Sequence, residues 1–284
     1  MRPEEVVALA ARVGVQVLAI TDHDSVDGVD EALAAGERYG VEVVPAIELS
    51  IRNEPHRDFV DIDLLGYWID HHHPRLQQVL LQVLEGRVEQ KRMQVERLQE
   101  LGYHITWEEV LAEAKGVPGR PHIAEVLMRH HPDEFPTMDA VFATVLRNNG
   151  PVSMPRPFAL RLEEAAALIR EAGGLPVLAH PGLYTDVQDL EGMITRAARL
   201  GVLGLEVWYP YDKTRVCSDC SPQALKAFIQ RFDRLSDQLG LAKTGGSDFH
   251  GQRKGILLGE QGLTWEQYTT LQTFYTEVIA QGGG

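Results

Sequence analysis

Four apolar stretches of the sequence each end in acidic residues or histidines. The stretches cover residues 15–20, 41–47, 175–179 and 241–247. Carboxylates and imidazoles are the side chains with which proteins bind Zn²⁺, Mn²⁺ and Fe²⁺. Two such ions together can activate a water and hold the oxygens of a phosphoryl group, so the pattern favours hydrolysis of a phosphate ester. The residues concerned are Asp22, His23, Asp24, Glu48, His180, Asp248 and His250.

A single aspartate or histidine at the end of a strand is more often a turn or capping residue than a ligand. This alternative is sufficient for each residue taken alone. It explains the whole set poorly, because nothing in turn formation requires acidic residues or histidines at the ends of four different strands.

The elements that must position these residues follow a repeated order of helix, glycine and apolar strand. Residues 3–13 and 29–39 have the apolar spacing of helices, and Gly14 and Gly40 stand where a helix ends. Such apolar strands are typical of a parallel sheet covered on both faces. Functional groups of such sheets collect at the carboxyl ends of the strands, which predicts one shared cleft. The same order precedes three later strands, at residues 175–179, 202–208 and 241–246.

The strand pattern is interrupted once, which predicts a helical insertion. Residues 59–67 are predicted to form a strand with Asp61 and Asp63 on one face, and a short last strand is predicted at residues 256–258. Between them, residues 74–150 contain long helical patterns and no strand-like run. We therefore predict an α/β barrel-like domain formed by residues 1–73 and 151–284, with residues 74–150 as a helical, substrate-binding insertion domain.

The composition restricts the class of partner. The 284 residues carry a formal net charge of −14, which argues against a broad basic surface for duplex DNA and against an electrostatic membrane anchor. A small phosphorylated substrate remains compatible, because bound divalent metals supply local positive charge. No stretch approaches the roughly 20 apolar residues of a membrane span, and the start of the chain does not resemble a secretory signal, so we expect a cytoplasmic protein.

Two further features have simple expected roles. Cys217 and Cys220 are the only cysteines and have the spacing of half a zinc site without a second pair, so we expect an ordinary loop and no disulfide framework. The histidine tract at residues 71–73 precedes Pro74 and is expected to be a polar turn at a helix start. The Glu206 side chain has two possible roles that the sequence does not separate: it points into the cleft, or it forms a structural ion pair.

Five motifs, in this order, resemble the polymerase and histidinol phosphatase (PHP) family. The similarity covers nearly the whole chain and is greatest to the stand-alone bacterial branch, which acts on nucleotide 3′,5′-bisphosphates and short RNA 5′ ends. It implies a distorted (β/α)7 barrel with two or three divalent metals, manganese first, with zinc and iron as alternatives. The motifs are Thr21-Asp22-His23-Asp24, Pro45-Ala46-Ile47-Glu48-Leu49-Ser50, Gly119-Arg120-Pro121-His122-Ile123-Ala124, Leu178-Ala179-His180-Pro181-Gly182 and Gly245-Gly246-Ser247-Asp248-Phe249-His250-Gly251.

The resemblance also implies roles for single residues. His23, His180 and His250 would be catalytic, and Arg120 and His122 would hold the substrate phosphate. Asp63 stands where the family usually has a histidine; its carboxylate can still bind a divalent metal but shifts the preference away from Zn²⁺. The metal ligands would be His23, Glu48, Asp63, His180, Asp248 and His250.

Arg120 has a physical reason to bind phosphate apart from the family. A guanidinium can bind two phosphate oxygens at once, and this one begins a predicted helix bounded by proline and glycine. The alternative is a solvated surface arginine.

Family members begin with a strand that carries a His-x-His pair and a nearby aspartate, and this sequence has no such stretch. The resemblance therefore implies that one barrel strand and three ligands are absent, that metal affinity falls, and that residues 15–20 present an unpaired strand edge. A start codon assigned too late, a truncated chain and a degenerate paralogue are the explanations to separate.

Two other functions remain open. The first is a non-catalytic nucleotide- or phosphate-binding protein, left by loss of the first strand. The second is an amidohydrolase acting on a C–N bond, which shares the histidine and aspartate chemistry but lacks a lysine at a strand end for a bridging carbamate and gives Arg120 no role.

Overall fold

The computed structural model describes residues 1–114, 116–147, 150–251 and 255–282, with the side chains of 279–282 excepted. The chain divides into two compact units, Met1–Leu80 with Leu160–Gly284, and Leu81–Ala159. The first unit contains one six-stranded sheet whose strands lie side by side in chain order. These strands are β1 (Val17–Ile20), β2 (Glu42–Ser50), β3 (Asp63–Tyr67), β4 (Leu175–Leu178), β5 (Gly204–Trp208) and β6 (Ala242–Gly245).

Helices of the first unit precede or follow most of these strands along the chain, much as the spacing predicts. Glycines with left-handed backbone end two of them, Gly14 at φ 83° and Gly40 at φ 70°, a conformation that glycine adopts without the steric cost of a Cβ. The helices are α1 (Pro3–Val13), α2 (Val29–Tyr39), α3 (Pro74–Glu100, which continues into the second unit), α7 (Leu162–Glu171), α8 (Leu190–Arg199), α9 (Pro222–Leu239) and α10 (Trp265–Gly282); those of the second unit are α4 (Trp107–Ala114), α5 (Arg120–His130) and α6 (Met138–Ala143).

The sheet is mixed, so the predicted parallel sheet is wrong for one strand. β3 runs antiparallel to both of its neighbours, β2 and β4, while the β1–β2, β4–β5 and β5–β6 pairs are parallel. A parallel return needs a crossover connection, usually a helix, but residues 51–62 contain only the short helical turn Pro55–Arg57. The chain therefore comes back from the same end of the sheet.

The sheet is a curled half-barrel and is open on one side. Among the described residues, β1 pairs with β2 alone and β6 with β5 alone. All four residues of β1 are only half-buried, whereas all four residues of β4 are buried. A cleft of about 830 Å³ is lined by both open strands, including Val17 and Ala19 of β1 and Thr244 of β6. The predicted fold class, an α/β barrel that lacks one strand, is confirmed.

The second unit has a hydrophobic core of its own. No strand occurs in the part of this unit that the structure describes, and helices α4 to α6 pack with the later part of α3. Its fully buried side chains include Leu98, Ile123, Leu127 and Val141.

Two local predictions are wrong. Residues 256–258 form no strand, and Leu257 is 66% exposed, so the apolar run is too short and too exposed to join the sheet. Cys217 and Cys220 are joined in a disulfide, with their Cα atoms 4.9 Å apart, where the sequence led us to expect an ordinary loop. The turn between Thr214 and Ser221 brings the two sulfurs together, because the Cys220 amide donates to the Cys217 carbonyl. Within the described residues, no helix combines the length and apolarity needed to cross a bilayer.

Candidate metal centre

The ends of β1 and β2 are held together by their backbones. His23 and Glu48 form a parallel β-bridge, and the Asp24 amide donates to the Glu48 carbonyl at 2.8 Å. The Asp24 carboxylate is buried and accepts a hydrogen bond from the Ser50 amide at 2.9 Å. Asp24 therefore ties the two strand ends together and leaves His23 and Glu48 next to each other.

Three of the predicted ligands converge at this point. His23, Glu48 and Asp63 each offer one nitrogen or oxygen within 4.8 Å of the other two. Asp63 begins β3, the strand antiparallel to β2, and its register partner is Ser50. The antiparallel direction thus delivers Asp63 to the same end of the sheet as the carboxyl ends of β1 and β2.

His180 joins this group from the carboxyl end of β4. Its backbone φ of 22° is unusual for a residue with a Cβ and is maintained by the surrounding contacts. The His180 amide donates to Glu206 Oε2 at 2.8 Å, and its Nε2 lies 3.1 Å from Glu48 Oε1. The Nδ1 atom is buried and has no hydrogen-bond partner.

Glu48 lies between two histidines. Its Oε1 faces His180, and its Oε2 lies 3.8 Å from His23 Nε2. The Glu48 side chain is only 5% exposed, so this carboxylate is placed deep in the site with imidazoles on both sides.

Asp248 and His250 follow β6 and line the same cleft. Asp248 has φ 46°, another left-handed backbone at a predicted ligand, and Tyr209 donates its hydroxyl proton to Asp248 Oδ2 at 2.9 Å. His250 Nδ1 lies 2.8 Å from the Asp248 carbonyl oxygen, which can only accept, so Nδ1 donates to it and Nε2 is the nitrogen left for a metal.

Burial and mutual repulsion of carboxylates determine the electrostatics of the centre. Burial, together with the charge of Glu48, raises the pKa of Asp63 to about 6, and burial raises that of Glu206 to about 7. Burial opposes the charge on His180, but the hydrogen bond to Glu48 and the nearby carboxylates outweigh it and raise its pKa to about 9. The centre therefore has an excess of buried negative charge that additional cations would neutralise.

The structure thus brings His23, Glu48, Asp63 and His180 into direct proximity and places Asp248 and His250 on the same cleft. Arg120 and His122 belong to the helical unit. Arg120 Nη1 donates to the Leu146 carbonyl at 3.4 Å, and the Gly119 amide donates to His122 Nδ1 at 2.9 Å.

Three further polar side chains have weak or no signals in the sequence. Glu206 lies inside β5 rather than beyond its end, and the structure puts it in the cleft, hydrogen-bonded to the His180 backbone. Tyr209 follows β5, and from the sequence its aromatic ring would be predicted to belong to the hydrophobic core. Lys91 lies on α3 in a run of mixed charge, a composition typical of a solvated helix face.

The chain is similar to several bacterial enzymes over most of its length. The chain is 30% identical to a phosphoribosyl 1,2-cyclic phosphate 1,2-diphosphodiesterase of Eggerthella lenta, over 88% of each chain. It is 30% identical to a 3′,5′-nucleoside bisphosphate phosphatase of Chromobacterium violaceum, over 90% of this chain and 84% of that one. It is 29% identical to the 5′-3′ exoribonuclease Rnm of Salmonella typhimurium, over 94% and 89%.

A solved structure has the same fold. A proposed metal-dependent phosphoesterase of Bifidobacterium adolescentis superposes with a TM-score of 0.76 at 26% identity, covering 96% of this chain and 91% of the other. A search with models of protein families gave no match.

An open α/β barrel with carboxylates and imidazoles gathered at its strand ends defines a hydrolase that depends on divalent metal ions. The chain belongs to the PHP family of phosphoesterases.

Proposed function

We propose that this protein hydrolyses phosphate esters of nucleotide 3′,5′-bisphosphates or of the 5′ ends of short oligoribonucleotides, with Mn²⁺ as its metal and the cytoplasm as its location. The convergence of His23, Glu48 and Asp63 at one end of the sheet carries the proposal. The relatives support the substrate class, since each acts on a phosphorylated ribose compound or on RNA by its name.

The side chains of the centre fit divalent cations. His180 Nδ1 is a buried nitrogen without a hydrogen-bond partner, and the Asp63 and Glu206 carboxylates are difficult to ionise as they stand. Mn²⁺ prefers carboxylate oxygens, with some imidazole nitrogens, as its ligands. Soft sulfur ligands such as thiolates select other metals. We assign the ligands to His23, Glu48, Asp63, His180, Asp248 and His250. Bound there, the metals would activate a water and stabilise the charge of the phosphoryl group.

The protein's own groups hold these ligands in place. The Tyr209 hydroxyl donates a hydrogen bond that positions Asp248. The Glu206 carboxylate accepts from the His180 backbone amide and so holds the strained turn at His180. Partners of this kind orient ligands and are costly to remove. The half-exposed rings of His23 and His250 line the cleft, and we assign them the catalytic role of holding the metals on its solvent side.

The helical unit provides positive charge for the substrate phosphate. Burial, and then the charges of Arg156, Arg120 and Arg87, lower the pKa of Lys91 to about 8. Four cationic side chains are thus gathered in one unit of a chain whose net charge is −14. A phosphate dianion would be attracted to these cations, and Arg120 can bind two of its oxygens at once. We therefore propose that Arg120 binds substrate phosphate together with His122, and that Lys91 adds to the same positive field.

The test is phosphate release from adenosine 3′,5′-bisphosphate by the Mn²⁺-loaded protein and its variants. We expect His180→Ala and Asp248→Ala to lower kcat/KM by about 100-fold or more, since each removes a proposed ligand. His56→Ala, which removes an exposed imidazole outside the centre, is the matched control and should retain full activity. Activity unchanged in both ligand variants would overturn the assignment.

A non-catalytic phosphate-binding protein is the second candidate, because β1 lacks a strand partner on one side among the described residues. It predicts phosphate binding with little metal and no turnover. Metal analysis of the purified protein separates the two functions: about two or more tightly bound ions per chain argue against the non-catalytic one.

A further inference from the structure

A second group of metal-binding side chains lies outside the cleft. Asp30, in the first turn of α2, meets His71 and His72, which precede α3. One ligand atom from each of the three lies within 4.8 Å of the other two. None of these residues lines the cleft that holds the proposed catalytic metals.

The distances within this group suit a small cation. His71 Nε2 lies 2.9 Å and His72 Nε2 lies 3.3 Å from the same Asp30 oxygen, Oδ1. Ligands about 2.0–2.1 Å from a tetrahedral Zn²⁺ lie roughly 3.3 Å from each other. Both imidazoles therefore present their Nε2 atoms to one carboxylate oxygen, and the hydrogen-bond contact between His71 and Asp30 is the one that an ion would replace.

The backbone holds the two histidines in this arrangement. The His72 amide donates to Asp70 Oδ1 at 3.0 Å, and the His71 carbonyl accepts from Gln77 Nε2 at 2.6 Å. The Asp70 amide in turn donates to the Ala172 carbonyl at 2.7 Å. The His71 side chain is only 11% exposed, whereas those of His72 and Asp30 are 67% and 69% exposed. The group is thus fixed on its inner side and open to solvent on its outer side.

We propose that Asp30, His71 and His72 form a surface site for one borderline divalent metal of the Zn²⁺ type, separate from the catalytic centre. Two imidazoles and a carboxylate are ligands that Zn²⁺ accepts, and the solvent-exposed side leaves a fourth position for water. The ion would link the start of α2 to the turn before α3, and its ligands Asp30 and His71 lie 41 residues apart in sequence. Its role is to stabilise the fold, because an ion that binds only the folded chain shifts unfolding to higher temperature.

Zinc titration of the full-length, chelator-treated protein by calorimetry, with thermal unfolding as a second readout, tests the site. Asp30→Ala and His72→Ala remove exposed side chains and should each lose one Zn²⁺ equivalent or weaken it about 10-fold or more, and lose the matching part of the zinc-dependent rise in Tm. Asp27→Ala is the matched control, an exposed carboxylate near the start of the same helix, and should behave as the wild type.

Zinc stoichiometry, affinity and Tm shift that are the same in Asp30→Ala, His72→Ala and Asp27→Ala would overturn the proposal. If circular dichroism shows that Asp30→Ala is misfolded, His72→Ala decides alone. Neither readout depends on phosphoesterase activity, so failure of this site and failure of the proposed function are distinguishable.

Discussion

At the scale of single residues, the proposed ligands are held by unusual backbone and by neighbouring polar groups. His180 and Asp248 have φ values of 22° and 46°, and strain of this kind persists only where surrounding contacts enforce it. Residue types and spacing were sufficient to predict His23, Glu48, His180 and Asp248 as members of one group. They were not sufficient for Glu206, because a carboxylate inside a strand has no local signal that distinguishes the cleft side from an ion pair.

The Asp63 carboxyl should make the stability of the metal-free protein fall with rising pH. Its folded pKa, about 6, lies above the ordinary 3.8, so the folded state binds this proton more tightly than the unfolded chain does. The resulting stability is complete below pH 3.8 and is lost as the pH rises through about 6. We expect Asp63→Asn to match the wild type in Tm at pH 4 and to exceed it at pH 7, both measured in a chelator.

The control for that comparison is Asp61→Asn, which removes an exposed carboxylate two residues earlier. With saturating Mn²⁺ at pH 7 the order should reverse, since the wild type gains more from the metal than Asp63→Asn does. A variant that is no more stable than the wild type in chelator at pH 7 would contradict the assigned environment of Asp63.

At the scale of elements, the apolar runs and glycine stops predict the helices of the barrel closely. The predicted helices at residues 3–13 and 29–39 are present with the same bounds. Strand direction was not predictable in this way, because an apolar run records burial on both faces and not orientation. β3 is antiparallel because of its connection, and this direction is also what brings Asp63 to the site.

The open edge of the sheet gives a prediction for β1. Each residue of β1 is half-buried and each residue of β4 is buried, so amides of β1 should be easier to expose to solvent. We expect the segment of residues 15–21 to exchange its amide hydrogens faster than residues 174–179 in the metal-free protein, measured by mass spectrometry. Equal protection of the two segments in dilute protein would show that the edge is covered.

At the scale of the whole molecule, each unit contains a local cluster of side chains that carry charge of one sign. The barrel unit holds the buried carboxylates Glu48, Asp63 and Glu206, while the helical unit gathers Lys91 with Arg87, Arg120 and Arg156. The overall net charge of −14 does not reveal these local clusters, since composition averages over the chain. From the sequence we predict the helical insertion and Arg120 as a phosphate-binding residue. The clustering of Lys91 with three arginines depends on how the helices pack, and no periodic pattern in the sequence indicates it.

Phosphate release from adenosine 3′,5′-bisphosphate, by chelator-stripped protein before and after addition of Mn²⁺, tests the central claim most directly. A metal-dependent phosphoesterase built on the residues at these strand ends predicts no release before the addition and sustained turnover after it. Release that is equally fast in the chelator, or no release although two or more Mn²⁺ ions bind per chain, would contradict it.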